Sequence, residues 1–138
     1  MSAERVLDAS VAVAIFFEEA RSPSARLAVS GAARLIAPPL ILVEFANVCS
    51  KKLKTKHITQ SVAIEALRAL AGMIRVIDEG VEGTERAMTL SAERAFSTFD
   101  AHYLALARSR DAPMLTADLR IVRQAQANGM THLVQAVE

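Results

Sequence analysis

The 138-residue chain has one cysteine, no tryptophan, one tyrosine, five glycines and four prolines. A single cysteine excludes an internal disulfide, so Cys49 speaks for a reducing compartment and the cytoplasm is the expected location. So few glycines and prolines exclude a collagen-like or low-complexity chain. No apolar run approaches the roughly 18 residues that a membrane span needs, so no membrane association is expected. The opening MSAERVLDAS lacks the basic n-region and cleavage site of a secretory signal. Aromatics are only 4% of the chain, which limits base-stacking platforms. A net charge of +1 is not that of a protein that coats nucleic acid. With four carboxylates committed to a cation, however, the rest of the chain would be distinctly basic.

What is present is an aliphatic stock: 52% hydrophobic against 22% charged residues. Length and composition predict one domain, residues 1–138, able to bury a core without staples. No repeat of roughly 20–50 residues occurs.

Short apolar runs alternate with longer helical patterns. Strands are predicted at 4–8, 34–37, 74–78, 113–116 and 131–134. Helices are predicted from Ser10 to about Glu19, from Pro23 to Gly31, and over 40–54. Further helices are expected from Thr59 to near Gly72, over 82–95, from Ser97 to about Arg110, and from Asp118 to Asn128. No tight hairpin joins two strands, which implies parallel pairing, right-handed crossovers and helices on both faces. The expected architecture is an α/β fold, a three-layer α/β/α sandwich around a central, mainly parallel sheet.

Sites in such sheets form outside the carboxyl ends of the strands. Asp8 ends the first strand, and Asp118 lies just past the fourth. Asp100 lies in the first turn of its helix, and Glu44 lies early in the helix that follows Pro38 and Pro39. Each has a plain structural alternative: Asp118 as a helix cap, Asp100 as part of a capping box with Ser97, Asp8 as a loop acid. Glu44 is the hardest to assign a structural role, because it interrupts the almost uncharged LILVEFANV and needs a cation or a proton there.

Converging carboxylates repel one another and raise each other's pKa values unless a cation intervenes. An all-oxygen set suits Mg²⁺ or Mn²⁺ and not zinc or copper. Ser10 and Thr116 stand two residues from Asp8 and Asp118, where they can orient a carboxylate from behind. Their alternatives are a helix cap and an ordinary strand residue. Asn47 shares the Glu44 face of its helix and either holds Glu44, meets substrate or bonds the backbone. Lys51, Lys52, Lys54 and Lys56, with His57, form the densest basic stretch, which suits either an RNA backbone or a solvated helix end. Arg108, Arg110, Arg120 and Arg123 are further basic candidates. His102 lies two residues past Asp100, about 200° around the helix, and is not expected to act as a base. Cys49 is expected in the core.

The segments VLDASVAVAIF, PPLILVEFANVCSK and FSTFDAHYLALARSRDAPMLTAD resemble the PIN-domain nucleases, and within them the VapC-like toxins of bacterial toxin–antitoxin pairs. The resemblance runs from residue 6 to about 122 and includes all four acids in order. It implies a PIN fold and an Mg²⁺- or Mn²⁺-dependent endoribonuclease with Asp8, Glu44, Asp100 and Asp118 as the catalytic, metal-holding acids. Ser10 and Thr116 would be supporting polar positions. It also implies a homodimer, a small antitoxin protein as partner, and structured RNA (transfer or ribosomal) as substrate. The chemistry would be in-line hydrolysis of a phosphodiester, leaving a 5′-phosphate and a 3′-hydroxyl, with no protein nucleophile.

Two readings within the family stay open: a PIN nuclease in RNA processing without an antitoxin, and a non-catalytic PIN-fold binding protein. Outside it, aspartyl-phosphate phosphatases are disfavoured because Ser10 stands where they need a second acid. Receiver domains are disfavoured because the acceptor Asp and later Lys are not convincingly placed.

Overall fold

The computed structural model describes residues 3–32 and 34–138. Strand β1 is Glu4–Leu7, followed by helices α1 (Ala9–Phe16) and α2 (Ser22–Ser30). Strand β2 (Arg34–Ala37) leads into α3 (Leu40–Lys54) and α4 (Gln60–Met73), then β3 (Arg75–Val76). Helices α5 (Gly80–Arg94) and α6 (Thr98–Arg110) precede β4 (Met114–Thr116), and α7 (Leu119–Ala127) precedes β5 (Val134–Ala136).

The sheet order is β3-β2-β1-β4-β5, and every pairing is parallel. This is the α/β/α arrangement expected from the alternation. Val6 and Leu7 are fully buried and pair with Met114 and Leu115, so β1 and β4 form the middle of the core. The chain leaves β1 through β2 and β3 on one side and returns through β4 and β5 on the other. The crevice between β1 and β4 is therefore the topological switch point, where loops diverge at the carboxyl ends of the strands and a site can open.

Three boundaries differ from expectation for clear reasons. The last strand begins later than expected: Thr131–Leu133 form a 3₁₀ turn, and the strand runs over Val134–Ala136. The chain leaves α7 through Gly129, at φ 68°, and needs that turn to bring Val134 alongside Met114. Helix α1 stops at Phe16 and not near Glu19. Phe17 turns extended and is buried, its ring stacked 5.8 Å from that of Phe45. Ser22 holds this corner, donating to the Phe17 carbonyl and accepting from the Glu19 N–H. At the sheet edge, β3 keeps only two of five expected residues, the two that find partners on β2.

Candidate active site

Asp8 occupies the N-cap position of α1, and its carbonyl accepts from Val11 and Ala12. A capping aspartate normally accepts backbone N–H groups through its side chain. Asp8 makes no such bond. Its carboxylate instead points across the switch point, where Oδ2 accepts from Ser10 Oγ at 2.6 Å and Thr116 Oγ1 at 2.8 Å. Ser10 accepts in turn from the Ala117 N–H at 3.0 Å, and Thr116 from the Asp118 N–H at 3.1 Å. Each hydroxyl therefore directs its one proton at Asp8 and ties that residue to the loop after β4. Ser10 is thus inside α1 as an anchor, not its cap. Thr116 is both a buried strand residue and a second anchor.

Asp8 is only 6% exposed. Burial pushes its pKa from 3.8 up to about 6, the two hydroxyls oppose the rise, and the charges of Glu44 and Asp100 add to it. Its other oxygen, Oδ1, has no hydrogen-bond partner and is not sealed from solvent. One oxygen is fixed and the other is presented to the site.

Glu44 lies in the second turn of α3 and is half-buried. Its Oε1 accepts from the Tyr103 hydroxyl at 2.5 Å. Burial raises its pKa, Tyr103 opposes this, the Asp100 charge raises it further and His102 lowers it. The Tyr103 hydroxyl is held strongly protonated by its burial and by Glu44, so it remains a donor. No hydrogen bond joins Asn47 to Glu44. Asn47 is exposed and lines, with Ser10, Glu44 and Arg21, a cavity of about 480 Å³.

Ser97 caps α6 by accepting the Asp100 N–H at 3.0 Å. The Asp100 carboxylate does not close a capping box. It goes to Arg120, whose Nη2 lies 3.1 Å from both Asp100 Oδ2 and Asp118 Oδ2. Asp118 does cap α7, through Oδ1 and the Arg120 N–H at 2.9 Å, yet keeps Oδ2 for the site. The four acids therefore share one neighbourhood at the carboxyl end of the sheet. Asp8 feels Glu44 and Asp100, Glu44 feels Asp100, and Arg120 joins Asp100 to Asp118.

The donor chemistry fits a hard divalent cation: four carboxylates, an open oxygen on the buried one, and a guanidinium already standing in as counter-charge. Among the described residues, no three His, Cys, Asp or Glu side chains are placed to hold one ion together. The acids are close enough to feel one another's charge but are not arranged around a common point.

The lysines stand apart from this centre. Lys51 and Lys54 are exposed at the far end of α3, and Lys52 rests its ammonium 5.0 Å over the Phe17 ring. Cys49 is buried, as expected. Three participants escaped the sequence reading: Tyr103 as the partner of Glu44, Arg120 as a bridge, and Arg21, which donates to the Ala117 carbonyl beside Ser10. The spacing Asp118–Arg120 was a usable signal for the bridge, because a cation in the first turn of a helix opposes the dipole and gains from an acid at the N-cap.

An all-parallel sheet with acids gathered at its switch point defines an α/β protein of the acidic-site class. Residues 5–127 match the model of the PIN domain, and the chain belongs to that family. Comparison with curated protein sequences gives no match. Among solved structures, PAE2754 from Pyrobaculum aerophilum is similar at 20% identity and a TM-score of 0.73, over 97% of this chain and 89% of that one. VapBC2 from Rickettsia felis, solved bound to a DNA fragment from its promoter, matches at 15% identity and 0.69, over 98% and 99%. Mycobacterium tuberculosis VapC20, a sarcin-ricin loop cleaving toxin, matches at 21% and 0.63, over 81% and 86%.

Proposed function

We propose that the chain acts as one PIN domain over residues 1–138, a divalent-metal-dependent endoribonuclease and the toxin of a toxin–antitoxin pair. The observation that carries this reading is Asp8: a buried carboxylate at the switch point, anchored by two neutral hydroxyls and facing Glu44 and Asp100. A carboxylate in that position is expensive unless a cation joins it. Asp8, Glu44, Asp100 and Asp118 would hold Mg²⁺ or Mn²⁺, which lowers the pKa of water and screens phosphate charge when bound. Ser10 and Thr116 orient Asp8, and Tyr103 orients Glu44. Asn47 lines the cavity beside Glu44, in reach of a bound strand. Lys51, Lys52 and Lys54 extend from the same helix as sites for a phosphate backbone.

The toxin assignment, an antitoxin partner, a structured RNA substrate (transfer or ribosomal) and a homodimer draw support from the likeness to VapBC2 and VapC20. A cytoplasmic setting belongs to the same proposal and rests on the single, buried Cys49.

The test is cleavage of total small RNA by the purified chain with Mg²⁺, with Mn²⁺ or with EDTA. Metal-dependent scission is expected, and scission that continues at the full rate in EDTA overturns the reading. The product of a small neighbouring reading frame should inhibit the reaction. Inhibition by no such product would leave a nuclease without its antitoxin.

A further inference from the structure

The Arg120 bridge is not required by the local structure. It sits in the first turn of α7, where a positive charge opposes the helix dipole. Its side chain is 56% exposed and free to be solvated elsewhere. Yet one nitrogen, Nη2, meets Asp100 Oδ2 and Asp118 Oδ2 at the same 3.1 Å, while Nη1 extends toward Gln124 Oε1 at 3.5 Å. These two acids come from α6 and from the start of α7, and the bridge joins them across the mouth of the site. Their charges in turn hold the guanidinium firmly protonated.

We propose that Arg120 is a built-in counter-cation that must release Asp100 and Asp118 before a divalent ion engages them. The inference rests on the metal-dependent reading above. Nη2 occupies one oxygen of each carboxylate, so a hard divalent ion held by those same oxygens would meet the guanidinium's positive charge at close range. Guanidinium and ion therefore compete for these two acids. The bridge also accounts for the incomplete cage. With Arg120 in place, one oxygen each of Asp100 and Asp118 is engaged by the guanidinium, and among the described residues no three acids are placed around a single ion. The exposure of Arg120 makes release inexpensive, because a solvated ion pair is weak. Metal binding is then an exchange of one cation for another, which lowers the site's net affinity for the ion.

The test is Mn²⁺ binding to the full chain by titration calorimetry, for wild type, Arg120→Ala and Arg123→Ala. Arg123 is exposed on the same helix and removes the same charge without touching the acids. Arg120→Ala should bind Mn²⁺ about five- to tenfold more tightly than wild type, and Arg123→Ala should stay within about twofold. Equal shifts in the two variants, or none in Arg120→Ala, overturn the exchange and leave the metal reading standing. Absence of Mn²⁺ binding in every protein overturns both. Should the alanine variant not fold, Arg120→Lys, which loses the planar fork, should still gain about two- to threefold, and no gain counts against the exchange. In wild type, the Arg120 Nε–H resonance should move on saturation with Mg²⁺ while that of Arg123 does not. A stationary Arg120 signal at saturation overturns the proposal.

Discussion

The two ends of β1 carry two acids handled in opposite ways. At the amino end, Glu4 receives Arg110 through two nitrogens at 2.8 and 3.2 Å and has Arg34 at 3.8 Å. These cations hold its carboxyl below the usual range. Four residues on, past the carboxyl end, Asp8 is more deeply buried but is met only by neutral hydroxyls, and its pKa rises. Glu4 is a satisfied structural ion. Asp8 is an ion kept short of positive charge, a local inconsistency of the kind found where function overrides stability. Arg120 serves Asp100 and Asp118, and among the described residues no positively charged side chain bonds Asp8.

Substitutions at the two ends should therefore act with opposite sign. The largest effect is expected at the carboxyl end. Asp8→Asn and Glu44→Gln should each lower metal-dependent cleavage at least ~100-fold in initial-rate assays. In EDTA at pH 7.5, Asp8→Asn should nevertheless raise the melting temperature by several degrees, because it removes a poorly compensated buried charge. A lower melting temperature in that variant would falsify the contrast between Asp8 and Glu4.

The pH dependence sharpens the same point. Asp8 has a folded pKa of about 6 against an ordinary 3.8. Its contribution to stability is complete below the unfolded value and is lost as pH rises through about 6. Metal-free wild type should thus lose on the order of 2–3 kcal/mol from this group between pH 4 and 7.5. Thermal melts of Asp8→Asn should lack that component. Glu4 runs the other way: its contribution is present above the ordinary carboxylate range and disappears as pH falls.

A smaller change is expected behind Asp8. Thr116→Val removes one of its two donors and should weaken Mn²⁺ binding about tenfold without unfolding the chain, as read by calorimetry and circular dichroism. Smallest of all, Glu4→Gln should lower the melting temperature by about 2–4 °C at pH 7.5 and leave cleavage unchanged. A cleavage defect there would mean that the two ends of β1 are coupled.

Much of this was legible before any coordinates. The alternation of strand and helix, the Pro38–Pro39 corner, the Ser97 and Asp118 caps and the bounds of α3 follow from local rules and agree with the fold. Glu44 stood out because charge in an apolar run is rarely idle. Less legible were residues whose meaning depends on a distant partner. Ser10 reads as a helix cap within its own ten residues. It becomes an anchor only because Ala117, 107 positions away, offers its N–H. Tyr103 reads as core until Glu44, 59 positions away, is beside it. Thr131–Val134 reads as a strand because its apolar content is strand-like, whereas the register with Met114 places the strand later.

The sequence by itself determined the class of fold and singled out the four acids that the fold brings into one neighbourhood, because period, capping and hydrophobicity act within a few residues of chain. Only the tertiary structure decided the order of the strands, and with it the crevice between β1 and β4. The same assembly chose neutral hydroxyls for Asp8 and a guanidinium for Asp100 and Asp118. Those choices depend on groups brought together from positions as much as 108 residues apart, and no local preference reaches across that distance.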